Sequence, residues 1–192
     1  MFRSRLISLA LAFALVLLAC AIPAAAQDVS AGWRLLGGDS TLKKGWYVDA
    51  AVPLTELLWI AGEGGGSYTS SNEIRTVLAR TVPVDRDFSI HTLAGGVRLR
   101  WPLGPIVPFG QALFGAARQS VSVEGSITVP GGTIDVDDHH SETDPIVDLG
   151  GGINFMIANN LGIRAGLGWM RFFDEGEDNT VSRFAVGAVL GF

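Results

Sequence analysis

V-S-R-F-A-V-G-A-V-L-G-F, Val181 to Phe192, is the stretch that decides the fold. Phe184, Val186, Ala188, Leu190 and Phe192 fall on one parity, and Arg183, Ala185, Gly187, Val189 and Gly191 on the other. Successive side chains of a strand point to opposite faces, so one face is large and apolar while the other carries a charge among mostly small residues. On a soluble sheet, such a strand would expose a greasy stripe and unpaired backbone to water. It suits a closed barrel whose outer face meets lipid.

Working back from that strand, the same alternation recurs. Leu161 to Phe173 sets Leu161, Ile163, Ala165, Leu167 and Trp169 against Arg164, Gly166 and Gly168. Val147, Leu149, Ile153, Phe155 and Ile157 alternate with Asp148, Gly150, Gly152 and Asn154, and Asn159-Asn160 makes the turn between these two strands. His91 to Trp101 places Leu93, Val97, Leu99 and Trp101 opposite Thr92, Ala94, Gly96, Arg98 and Arg100. In Val107 to about Val121, Gln111 shares parity with Phe109 and Leu113, which predicts a bulge and a shift of register. Leu58 to Tyr68, with Glu63 opposite Leu58 and Ile60, Trp46 to Val52, with Asp49 inward, and Gly32 to Gly37, with Arg34 inward, bring the predicted strands to eight.

The connections alternate in length. Pro53–Glu56, Pro102–Pro105 and Ala158–Asn160 are short, whereas Thr69–Asp87 and Gln119–Pro145 read as long polar loops. Links near Gly38–Gly45 and Asp174–Thr180 are of intermediate length. Short turns on one side of the membrane and longer loops on the other are the habit of outer-membrane barrels, and an even strand count returns both chain ends to the short-turn side. The aromatics sort into two expected girdles: Trp33, Trp101, Phe155 and Phe192 near the short turns, and Trp46, Tyr68, Trp169 and Phe184 near the long loops.

At the N-terminus, Arg3 and Arg5 precede an apolar run from Leu6 to Leu18, followed by Pro23 and Ala24-Ala25-Ala26. This reads as a signal peptide, residues 1–26, cleaved before Gln27, with residues 27–192 forming one barrel domain. The Leu17-Leu18-Ala19-Cys20 stretch loosely resembles a lipoprotein cleavage site, but the alanine triplet is the better one. Cys20 is the only cysteine, so the mature chain is expected to have no disulfide and no thiol chemistry. Cleavage removes two arginines and no acid, leaving the chain more negative than its formal −5. Past residue 26 no apolar stretch approaches the roughly 20 residues a spanning helix needs. The positive residues are too thinly spread to suggest nucleic acid.

From Gln27 to Phe192 the chain resembles the small eight-stranded outer-membrane barrels of the OmpA and OmpX type, the outer membrane protein beta-barrel domain. The resemblance rests on the alternation, the loop asymmetry, P-F-G-Q-A-L-F-G (Pro108 to Gly115), F-D-E-G-E-D (Phe173 to Asp178), R-F-A-V-G (Arg183 to Gly187) and the terminal Phe192. It implies an all-β, antiparallel, up-and-down transmembrane barrel in the cell outer membrane, surrounded by lipid and lipopolysaccharide. It further implies that Phe192 serves as the signal read by the barrel-assembly machinery; with the sequence ending at Phe192, a peptidoglycan-binding module of the kind found in full-length OmpA is not expected.

With large apolar residues facing lipid, Arg34, Arg98, Arg100, Arg164 and Arg183 share a narrow lumen with Asp49, Glu63 and Asp148. An eight-stranded barrel has an interior that side chains nearly fill, so these groups are expected to form a structural ion-pair network. The expected protein is a non-enzymatic monomer without cofactor or metal, with an envelope-structural or surface-interaction role carried by its acidic loops. The competing readings are a narrow or gated porin-like channel and a soluble, lipocalin-like ligand-binding barrel in the periplasm. Asp135 to Asp144, with His139 and His140 among carboxylates, has ligand types that suit a transition metal, yet adjacent histidines need not converge on one ion. A lipid A-modifying enzyme would need Ser, His and an acid together; Ser89 and His91 share parity but lack the H-x-S-N order of the deacylases. Acids crowd the outer rim, at Glu124, Asp135, Asp137, Asp138, Glu142 and Asp144 and again at Asp174, Glu175, Glu177 and Asp178, which suits solvated loops.

Overall fold

A computed structural model of the chain describes the backbone of residues 27–37, 44–77, 80–129, 132–173 and 179–191, without side chains at 71–86 and 123–138. The expected signal peptide, the Asp174–Asp178 link and Phe192 lie outside the described residues. Eight antiparallel strands are described: β1 (Asp28–Gly37), β2 (Lys44–Pro53), β3 (Leu58–Val77), β4 (Arg80–Arg100), β5 (Ile106–Val129), β6 (Gly132–Met156), β7 (Leu161–Phe172) and β8 (Asn179–Gly191). Each strand pairs with its sequence neighbours, and β1 closes on β8 from Asp28↔Gly191 to Gly37↔Ser182. Closure leaves no edge within the wall, which is what lets a sheet sit in a solvent that offers no hydrogen bonds.

The strands are inside out by the standards of a water-soluble barrel. Leu93, Phe114, Leu167 and Trp169 are each about two-thirds exposed, while Arg34 is fully enclosed. Charges turn inward and aliphatic groups outward because the surroundings of the wall are lipid, where an outward-facing cation at mid-depth costs about 2–4 kcal/mol.

The short connections are tight. At Leu54–Leu57 the Thr55 hydroxyl accepts hydrogen bonds from the Leu57 and Leu58 amides, at 3.3 and 2.9 Å. Between β4 and β5 the Leu103 amide donates to the Ile106 carbonyl at 2.9 Å, and Gly104 takes a φ of +69°, a left-handed conformation that glycine adopts without strain. Strand β1 begins at Asp28 and β8 ends at Gly191, beside one another at this same end.

Three expectations are corrected. Most of Thr69–Asp87 and Gln119–Pro145 is strand rather than loop: β3 and β4 pair out to Val77↔Arg80, and β5 and β6 out to Val129↔Gly132. Polar composition suggested loops, yet a sheet with water on one side needs polar residues on that side. The predicted bulge near Gln111 is absent, because β5 pairs one-to-one with β4 and with β6 through this region. Phe109, Gln111 and Leu113 simply all face the lumen. Finally, Trp33 pairs with Trp46, so it belongs to the long-hairpin half and not to the short-turn girdle.

The long hairpins have consequences for shape. β1, β2, β7 and β8 have 10 to 13 residues, close to the 9–11 that cross a bilayer, whereas β5 and β6 have 24 and 25. At about 3.3 Å per residue the excess is roughly 40 Å of strand beyond the wall. Among the described residues, β3 has no β2 neighbour beyond Tyr68, and β6 has no β7 neighbour before Ile146. β4 and β5 stay paired up to Asp85↔Glu124. The protrusion is thus a short four-stranded sheet that forks into two fingers.

Candidate functional site

All eight sequence-derived lumen residues lie inside the barrel: Arg34, Asp49, Glu63, Arg98, Asp148, Arg164 and Arg183 are buried, and Arg100 is nearly so. They sort into two clusters stacked along the axis. Toward the short turns, Asp49 receives Arg98, through NH1 at 2.9 Å and NH2, together with Arg164 NH1 and the Ser30 hydroxyl at 3.2 Å. Arg164 spends its remaining donors on Asn154 Oδ1 at 2.8 Å, Ser30 Oγ at 2.9 Å and Asp28 Oδ2 at 3.4 Å. Arg98 also donates to Gln111 Oε1 from Nε at 3.0 Å and NH2 at 2.6 Å. Arg100 NH1 lies 2.9 Å from Asp28 Oδ2, and its guanidinium stands 4.1 Å over the Trp59 ring.

The Phe109 ring is shared by two cations, with the Arg98 and Arg164 guanidiniums 5.0 and 4.9 Å from its centroid. This gives the inward-facing aromatic of β5 a partner in the charged cluster. A planar, weakly hydrated guanidinium is attracted by the face of a ring, more strongly where water is excluded.

The second cluster lies farther along. Glu63 receives Arg183 NH1 and has Arg34 NH1 at 3.8 Å, and Asp148 Oδ2 is 3.2 Å from Arg183 NH1. Arg34 also donates to Thr92 Oγ1 at 2.7 Å and Ser67 Oγ at 3.3 Å. Glycines make the space: a Cβ on Gly65 would come within 2.8 Å of the Arg34 guanidinium carbon. Between the clusters Tyr47, Glu63, Arg98, Arg164 and Arg183 surround a cavity of about 20 Å³, room for one water.

Above the charges the lumen is apolar. Leu36, Ile90, Ala117, Ile146, Met170 and Phe172 pack into a buried layer across the long-hairpin end, with Phe88 and Val181 against it. At the mouth beyond it, Gln119 Nε2 donates to Asp144 Oδ2 at 2.8 Å. A passage would have to cross an ion-paired region and then an apolar one, and either resists a hydrated ion.

Sequence reasoning did not assign Asp28 or the apolar layer to the lumen. Asp28 was findable, since it shares parity with Ser30, Gly32 and Arg34 once β1 is started four residues earlier. The apolar layer had little local signal, because its six members are spread over β1, β4, β5, β6 and β7.

The other chemical candidates do not assemble. Ser89 and His91 face outward, with His91 edge-on to Tyr68, ring centroids 5.4 Å apart. His139 and His140, as consecutive strand residues, point to opposite faces, and His139 Nδ1 lies 2.8 Å from Ser122 Oγ. Among the described residues no three His, Cys, Asp or Glu side chains converge to hold a metal.

No protein-family model matches the chain, and no curated protein sequence matches it. Solved structures do. A major outer membrane protein from Thermus thermophilus superposes with a TM-score of 0.57 at 16% identity, covering 88% of this chain and 100% of that one. Ail, the attachment invasion locus protein of Yersinia pestis, gives 0.54 at 14% identity over 87% of this chain and 97% of its own. Neisserial surface protein A gives 0.51 at 13% identity, with 87% and 96% covered. At such low identity the likeness is one of fold, and the charged lumen and apolar belt agree with it: by fold, the chain is an eight-stranded β-barrel of the outer-membrane type.

Proposed function

We propose that the protein is a non-enzymatic resident of the outer membrane whose barrel is a sealed anchor and whose two projecting hairpins carry a surface-interaction role. The observation that supports this reading is the contrast between a filled lumen, closed by ion pairs and an apolar layer, and strands about twice as long as a bilayer requires. A protein selected for transport has little use for that lumen, and a purely structural barrel has little use for those hairpins.

Lipopolysaccharide is the proposed lipid partner: outward-facing Lys44, Arg118 and Arg171 all stand at the long-hairpin end, where lipid phosphates would lie. Phe192 is the proposed contact for the barrel-assembly machinery, and the mature barrel is proposed to be a monomer. Ail has been solved in complex with the heparin analogue sucrose octasulfate. A polyanion of that kind is a poor fit here, because the chain from Gln119 to Asp144 has six acids and neither Lys nor Arg.

Two measurements test the reading together. Planar-bilayer recording of the purified barrel should show no steady openings, and large sustained conductance would refute the sealed anchor. Shortening both hairpins to the height of Tyr68 and Ile146 should leave the heat-dependent gel mobility of the folded barrel intact while abolishing adhesion of expressing cells to protein-coated surfaces. Undiminished adhesion would refute the role of the hairpins.

A further inference from the structure

Below the apolar layer the lumen does not balance its own charge. Among the described residues, the guanidiniums of Arg34, Arg98, Arg100, Arg164 and Arg183 share it with only four carboxylates, Asp28, Asp49, Glu63 and Asp148. The ion pairs show where the surplus cation lies. Arg100 is matched by Asp28 at 2.9 Å. Arg34 and Arg183 stand against Glu63, and Arg183 also against Asp148. Arg98 and Arg164 are left to divide the one carboxylate of Asp49. Arg164 reaches Asp28 only at 3.4 Å, and that carboxylate already serves Arg100. The other groups that receive these two cations are neutral: Gln111 Oε1 for Arg98, Asn154 Oδ1 and Ser30 Oγ for Arg164, and the Phe109 ring for both. A ring face attracts a cation but carries no net charge. Charge held away from water is costly unless an opposite charge accompanies it.

The surplus lies beside free volume and free donors. Arg98 and Arg164 both line the cavity of about 20 Å³, somewhat more than the roughly 10–15 Å³ that one water needs. Two other lining groups carry donors with no hydrogen-bond partner: the Tyr47 hydroxyl, on a residue 2% exposed, and Arg183 Nε, on a residue 6% exposed. A Cβ on Gly187 would come within 2.7 Å of that hydroxyl, so glycine there leaves Tyr47 its place. Around the cavity three cations and a hydroxyl thus face a single carboxylate, Glu63. A water molecule would accept hydrogen bonds from these donors and leave the charge unmatched. A monatomic anion does both.

We propose that this cavity binds one small monovalent anion, of the size of chloride, between the Arg98–Arg164 pair, Arg183 Nε and the Tyr47 hydroxyl. The ion completes the lumen as a neutral, hydrogen-bonded filling. The inference goes beyond the surface role proposed above and does not depend on it.

Two experiments test it. Crystals of the barrel grown in sodium bromide should show an anomalous difference peak in the cavity within hydrogen-bond reach of Tyr47 Oη; density for water alone would overturn the proposal. In lipid vesicles, an ion bound only by the folded barrel stabilises it by mass action. Replacing gluconate, which is too large for the cavity, by chloride at constant ionic strength should raise the folded-to-unfolded ratio, by roughly tenfold for each tenfold rise in chloride once the site is filling. Gln111→Glu supplies the missing carboxylate where Arg98 already donates, and should abolish both the bromide peak and the chloride dependence while keeping heat-dependent mobility. A Gln111→Glu barrel as responsive to chloride as the parent would overturn the proposal. Should that variant not fold, Tyr47→Phe takes its place: it removes a donor and no charge, and should weaken chloride binding at least threefold. Unchanged affinity in Tyr47→Phe would count against the site in the same way.

Discussion

The outward parity of strand β6 changes character at Ile146. Between Ile146 and Met156 it turns Leu149, Ile153 and Phe155 outward and Asp148 and Asn154 inward. Between His139 and Pro145 the same outward parity holds His139, Ser141 and Thr143, all exposed. The pairing with β5 runs one-to-one through both regions, from Ile106↔Phe155 to Val129↔Gly132. The backbone is therefore the same object throughout, and only its surroundings change. Which face is apolar reports what lies outside the sheet, lipid below and water above, and does not by itself report which way is in.

The comparison can be broken most severely from the lumen side. Asp49→Ala leaves Arg98 and Arg164 enclosed without their shared carboxylate, and removing one partner from a buried ion pair costs about 3–5 kcal/mol. Urea unfolding of the barrel in lipid vesicles should show that loss; a change below about 1 kcal/mol would mean that water reaches and solvates the cluster. Ile146→Ala tests the apolar layer. It removes a fully buried side chain and should cost about 2–5 kcal/mol in the same assay.

The lipid face gives a paired prediction. Val48→Arg, facing outward at mid-wall beside Ala31, should cost about 2–4 kcal/mol, whereas Ser122→Arg, on the same parity but in a hairpin, should stay within about 0.5 kcal/mol. Equal costs would erase the distinction between the two regions. The smallest effect concerns the hairpin face itself. Arg118 NH2 donates to Ser141 Oγ across the exposed face of the β5–β6 pair at 3.2 Å, and cross-strand pairs of this kind stabilise a sheet modestly. Ser141→Ala should speed proteolysis of the hairpins by a factor corresponding to about 0.2–1 kcal/mol.

How much of this is legible in the sequence differs between the same two regions. The lumen charges are readable because a charge on an alternating strand must take one face, and the aliphatic residues claim the other. Phe109 and Leu113 resist that reading, since their inward position depends on Arg98, Arg164, Trp59 and Ala61 brought in from other strands. Starting β1 at Gly32 instead of Asp28 hides one acid of the lumen and misplaces Trp33. In the hairpins the alternation of β5, S-V-S-V-E-G-S-I-T-V from Ser120 to Val129, is as regular as in any wall strand. Its serines and acids suggest a loop when weighed by composition, and period two escapes notice when it is sought only with apolar residues on the lipid side.

A cysteine scan along β5 tests the account most directly, because Cys20 is the only native cysteine and lies in the expected signal peptide. Single cysteines from Gly110 to Thr128 would carry a spin label, and accessibility to oxygen and to a water-soluble nickel complex would be measured in lipid vesicles. The account predicts that Ala112, Phe114 and Ala116 meet lipid, that Ser120 and Ser122 meet water on the same parity, and that Gln111 and Leu113 meet neither. Water access at Ala112, Phe114 and Ala116 would contradict it, for the apolar belt would then not face lipid.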